Sequence, residues 1–143
     1  MKKLFLTLAM LVAFTISAQA ATVGYVDYVK VIEGYPLAQK YKKELESKAT
    51  SVKTYLDQKE AEVRKTDDPA AQKKIRDVAL AEIDKKQKDY TTTKAAREKE
   101  IDTKIRQAAE KVRTQKKLEV MVKYDAVVTG GTDCTQDVLN LLK

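Results

Sequence analysis

From Leu37 to Tyr124 the chain runs for 88 residues with no glycine and one proline. Of these residues 40 are charged, 24 basic and 16 acidic, and only 16 are Val, Ile, Leu or Met. So few large apolar side chains cannot fill a globular core, while the helix formers Ala, Lys, Glu, Gln and Arg dominate. Such a composition belongs to a long helix or coiled coil, with disorder as the competing reading. Periodicity decides for helix. Leu45, Ala49, Val52, Leu56, Lys59 and Val63 step by alternating fours and threes, and Ile101, Ile105, Ala108 and Val112 repeat the pattern. That spacing draws a thin apolar stripe along each helix, the seam of a coiled coil. The seam thins between Asp84 and Glu100, where Tyr90, Ala95 and Ala96 are the only apolar side chains.

The segment divides at Thr66-Asp67-Asp68-Pro69. Asp68 is suited to cap a following helix, and Pro69 fits the first helical turn, where its missing N–H costs nothing. The expectation is a helical hairpin, rising from Pro36 to Lys65 and descending from Pro69 to Tyr124, with its tip near 66–69. At ~1.5 Å per residue the descending helix would be roughly 80 Å long and the ascending one shorter. Part of the longer helix must therefore pack on something other than its partner.

Before and after the hairpin the grammar changes. Thr22–Val26 reads as a strand, Asp27 as the cap of a short helix over Tyr28–Glu33, and Gly34 as its left-handed terminator before Pro36 restarts a helix. At the far end Ala126–Thr129 reads as a strand, Gly130-Gly131 as a tight turn, and Thr135 as the cap of a last helix carrying Val138, Leu141 and Leu142 on one face. Residues 21–36 and 125–143 total 35, below the ~40 at which a domain usually folds alone. Pooling the ends of several chains would give them a common core. The fold class expected is mainly α with a small β body: an oligomeric, β-containing body from residues 21–36 and 125–143, and a hairpin arm from residues 37–124. Val23, Tyr25, Val26, Val127, Val128, Val138, Leu141 and Leu142 are the residues expected to build that oligomerisation body.

Met1-Lys2-Lys3, an uncharged apolar run to Ile16 and the Ala18-Gln19-Ala20 ending have the form of a secretory signal peptide, residues 1–20, cut after Ala20. Export follows, and removal of that leader leaves 123 residues. With one Cys and no His, no disulfide framework, Cys/His zinc site or His-based catalytic dyad is available in one chain. No catalytic, cofactor-binding or metal-binding residue is assigned, and an enzyme is not expected. Cys134 reads as a small buried side chain, or alternatively as an intermolecular bridge. The arm carries a net +8 and the two ends together −3. Basic arms attract anionic partners, including an anionic membrane or lipopolysaccharide surface. Nucleic acid is disfavoured by export and by acids interleaved with the bases. Lys85, Lys86 and Lys88, beside the thinnest part of the seam, are the candidates for contact with such a partner.

The motifs Gly24-Tyr25-Val26-Asp27 with Val31-Ile32, and Tyr124-Asp125 leading to Asp133-x-Thr135-x-Asp137-Val138-Leu139, resemble the Skp/OmpH family of periplasmic chaperones. The resemblance implies a jellyfish-shaped homotrimer whose three arms hang from a β-containing body. It further implies an ATP-independent holdase that binds unfolded outer-membrane proteins in the periplasm and keeps them from aggregating. The alternative is a structural coiled coil or scaffold of the cell envelope without chaperone activity.

Overall fold

The computed structural model describes residues 22–143, and the expected leader lies outside them. Its central element is β1 (Val23–Val26), whose alternate residues Gly24 and Val26 are buried. The helix α1 (Tyr28–Gly34) follows, capped by the Asp27 carboxylate, which accepts from the Lys30 N–H at 3.1 Å. The arm is α2 (Pro36–Arg64) and α3 (Pro69–Gln115), 29 and 47 residues, each opening on its proline. At the tip Asp68 accepts from the N–H groups of Ala70 and Ala71, and the Gln72 amide donates to the Thr66 carbonyl at 2.6 Å. The tip is therefore a closed, capped turn.

Two strands, β2 (Val120–Lys123) and β3 (Thr132–Asp133), flank β1 in the order β2-β1-β3, both parallel to it. Parallel neighbours require a crossover, and between β1 and β2 the whole arm is that crossover. The short α4 (Thr135–Asn140) closes the body.

The outer half of the descending helix is shared with α2, and its inner part belongs to the body. Ile101, Ile105, Ala108 and Val112 enter one buried cluster with Val26, Val31, Tyr35, Leu118, Cys134 and Val138. This is where the surplus length of α3 goes, and it gives the body a larger core than the chain ends alone could supply.

Three local expectations are corrected. The descending helix ends at Gln115, not Tyr124, because residues 113–118 form a Schellman-type stop: Leu118 N–H bonds to the Arg113 carbonyl at 3.0 Å and Lys117 N–H to Thr114 at 3.2 Å. Lys117 occupies the left-handed position usually given to glycine, at φ 55°, and Leu118 folds back into the core beside Val112. The freed residues become β2, so the strand expected at Ala126–Thr129 is not formed. Tyr124–Ala126 is a single 3-10 turn there, and residues 127–131 are a return loop rather than half of a hairpin. Gly130 and Gly131 both take positive φ, 79° and 89°, within this loop. Thr135, finally, does not cap its own helix. Asp133 accepts from the Thr135 N–H at 2.9 Å, and the Thr135 hydroxyl accepts from the Asp27 N–H at 3.0 Å, tying α4 to the end of β1.

Gly34 also serves a different purpose from the one expected. It lies in the last turn of α1 without positive φ, and a Cβ there would stand 2.6 Å from Leu139 Cδ2. Glycine is needed for close approach of α1 to α4. Gly34→Ala is expected to cost about 1–3 kcal/mol through overpacking, read as a lower urea midpoint with an unchanged slope.

Candidate functional site

Two surfaces carry chemistry that the chain does not consume in its own fold: the arm and one side of the body.

Along the arm, the seam follows Tyr41, Leu45, Lys48, Val52, Tyr55, Lys59 and Val63 on α2, all buried or half-buried. The expected Ala49 and Leu56 are exposed, displaced by Lys48 and Tyr55 one residue earlier. Longer side chains reach further into a thin interface, and this settles the register. Where the apolar stripe fails, tyrosine rings and lysine stems replace it. Lys59 and Lys86 both lie over the Tyr55 ring, at 5.8 and 5.6 Å, and Lys48 pairs with Asp89 across the hairpin. Such contacts, each about 0.5–1 kcal/mol at exposed sites, hold the helices together weakly. Lys86 is thus a seam residue, half-buried and 3.8 Å from Glu82, whereas Lys85 and Lys88 are exposed. Of the three lysines singled out from sequence, two are free to meet a partner.

Sequence reading missed the apolar residues of the outer arm. Val78 is 55 % and Leu80 66 % exposed, with Leu56 opposite at 41 %. Val78 and Leu80 break the seam's period, so the pattern that finds seam positions leaves them out, whereas Leu56 fits the pattern and turns outward. A further cleft of about 690 Å³ lies at the arm's root, lined by Tyr28, Ile32, Tyr41, Leu45, Tyr90 and Ile101 among others.

At that root two tyrosine–carboxylate bonds fasten α3, one to α2 within the hairpin and one to α1 of the body. Tyr41 donates to Glu100 at 2.8 Å while Arg97 stacks over its ring at 4.3 Å and forks onto Glu44 at 3.2 and 3.3 Å. Tyr28 donates to Asp102 at 3.0 Å, and Asp102 also receives Arg106 at 2.7 Å. Burial, then the bond to Asp102, pushes the Tyr28 phenol up to about 12. A raised folded pKa stabilises the chain fully below the ordinary phenol value of about 10 and loses that contribution as pH rises through the folded value. Tyr28→Phe is therefore expected to flatten the fall in stability between ~pH 10 and ~pH 12, compared by urea unfolding at the two ends of that range. An unchanged alkaline profile would remove Tyr28 from the account.

On the body, the residues proposed from sequence divide into two sets. Val26 and Val138 are buried in the chain's own core, and Val23, Tyr25, Val127 and Leu142 are half-buried. Val128, fully exposed, and Leu141, 46 % exposed, have no such employment. Val29, Val120 and Tyr124 join them as exposed apolar side chains that sequence reading passed over. Among the described residues β2 also has an unpaired outer edge, since β1 takes only one of its sides, and free strand edges pair readily with another chain. Cys134 is fully buried, and burial raises its thiol above the usual range. This agrees with Cys134 as a small buried side chain and leaves the thiol poorly placed for a bridge.

Among the described residues there is no cluster of three or more His, Cys, Asp or Glu able to hold a metal ion, and no helix long and apolar enough to cross a membrane. Residues 22–142 match the family described as outer membrane protein (OmpH-like). A Skp-like protein of Chlamydia pneumoniae is 29 % identical, over 99 % of this chain and 95 % of its own length. Among solved structures, an OmpH-like candidate outer membrane chaperone from Caulobacter crescentus is similar at a TM-score of 0.48 and 15 % identity, covering 86 % of this chain and 84 % of its own. With the family matched over every described residue except the last, the chain belongs to the OmpH-like outer membrane protein family.

Proposed function

We propose that this protein is an ATP-independent holding chaperone of the periplasm, which binds unfolded outer-membrane proteins and prevents their aggregation on the way to the outer membrane. The body assembles the protein as a homotrimer, and the arm, α2 and α3, receives the client. Family membership supports the chaperone reading. The observation that carries the holding activity is the outer arm, where exposed Leu56, Val78 and Leu80 stand among cations on two weakly zipped helices. Exposed apolar side chains offer contact area to a chain with apolar groups of its own to bury. The net +6 of residues 36–115 adds an attraction, screened by salt, toward anionic clients and anionic envelope surfaces.

Size-exclusion chromatography tests this directly. A urea-unfolded outer-membrane barrel diluted into excess protein is expected to elute with it as one soluble complex, without nucleotide. Elution of this protein alone, with the barrel lost as precipitate, would favour the envelope-scaffold reading.

A further inference from the structure

The outer third of the arm holds a cleft of about 380 Å³ between α2 and α3, near the tip. Half-buried Val63, Ile75 and Ile83 line it, and Leu56 and Leu80 stand at its mouth. Its volume lies at the low end of the ~300–1,000 Å³ typical of sites that take small ligands, so it suits large side chains rather than a whole domain. The cations around it are not equivalent. Lys59 is paired with Glu62 and Arg64 with Glu60, but Arg76 has no ion-pair partner among the described residues.

We infer that this cleft is a docking subsite for an unfolded polypeptide segment in which a large apolar side chain neighbours a carboxylate. The apolar side chain enters between Leu56 and Leu80, and the carboxylate meets Arg76. This rests on the holding-chaperone reading and gives it a location. Charge complementarity selects the occupant: a neutral apolar segment would leave the Arg76 cation unused beside a filled cleft. The geometry disfavours a lipid surface. At 100° per residue Val78 and Leu80 lie about 200° apart on α3, and Val78 faces a second hollow beside Tyr55 and Lys85. A flat bilayer cannot cover both flanks together, whereas an extended chain can pass round the arm.

The chain has no tryptophan, so Leu80→Trp supplies a single reporter at an exposed position. Titration with a short fluorescein-labelled peptide of repeating Tyr-Asp-Leu-Gly should quench and blue-shift its emission saturably. In the otherwise unaltered protein, Leu56→Ser with Leu80→Ser should weaken binding of that peptide by about tenfold. Arg76→Glu should weaken it several-fold and lower its salt dependence, and Ala95→Ser, on the exposed middle of the arm, should leave it unchanged. Circular dichroism confirms that each variant keeps its helices. Unaltered protein that binds neither the peptide nor a urea-unfolded barrel overturns the holding reading and this inference with it. Binding that survives the paired serine substitutions overturns the inference alone. So does a loss seen only with phosphatidylglycerol vesicles, which would assign the cleft to a membrane.

Discussion

Val31→Asp is expected to abolish the cooperative unfolding of the body. Val31 is wholly buried on α1, within the cluster that also holds Ile105, Val112 and Val138. A carboxylate placed there would need a partner, and no polar or charged side chain is buried among the described residues. An ionised group left unpaired in such a site costs several kcal/mol, against a total stability of about 5–15 kcal/mol for an ordinary domain. The arm should lose its anchorage with the body, because Ile101–Val112 of α3 are part of the same core. Thermal melts followed by circular dichroism should show a broad, non-cooperative loss of helix in place of a single transition. A sharp melt within a few degrees of the unaltered protein's would mean that the body is not packed as described.

Leu141→Asp should produce the opposite combination, a folded protomer that does not assemble. Leu141 is 46 % exposed at the end of α4, so an aspartate there remains hydrated and costs the single chain little. In the proposed trimer the same side chain would be covered, and three carboxylates would be desolvated around one axis. Static light scattering should report about a third of the trimer mass, with the helical circular dichroism retained. A variant that stays trimeric would place the interface elsewhere, on the β2 edge or around the fully exposed Val128. Comparison of the two substitutions separates core from interface, whereas the sequence reading puts buried Val26 and Val138 in one group with exposed Val128 and Leu141.

That grouping shows where sequence reading stops. The hairpin was legible because it is repetitive: period, prolines and the Asp68 cap each specify helix within a few residues, and α2 and α3 start where those signals lie. The surplus of α3 was legible too, as an unmatched length, although not its destination. The end of α3 was hidden because Lys117 stands in the left-handed position, so no glycine marks the stop. A helix carried that far absorbs Val120–Lys123, the strand β2, and leaves Val127-Val128 as the next apolar pair to read as a strand. The alternation of a four-residue strand is too short to compete with the helix-forming run before it.

The exposed apolar residues of the outer arm were invisible for a related reason. Seam positions repeat and can be read, but Val78 and Leu80 matter because they fall outside the repeat, and a one-residue change of register on α2 turns Leu56 outward and Tyr55 inward. Lys86 illustrates the same limit from the other side. Its charge suggested a partner, while the length of its stem takes it into the seam over the Tyr55 ring.

Holding is the central property proposed: a folded, nucleotide-free protein should keep an unfolded outer-membrane barrel soluble. Right-angle light scattering after rapid dilution of the barrel from urea measures this directly. With one proposed trimer per barrel, scattering should stay near the level of buffer, and it should climb again when salt screens the arm's charge or when Leu56 and Leu80 are both replaced by serine. Scattering that rises as fast with this protein as without it, at any ratio, would contradict the account.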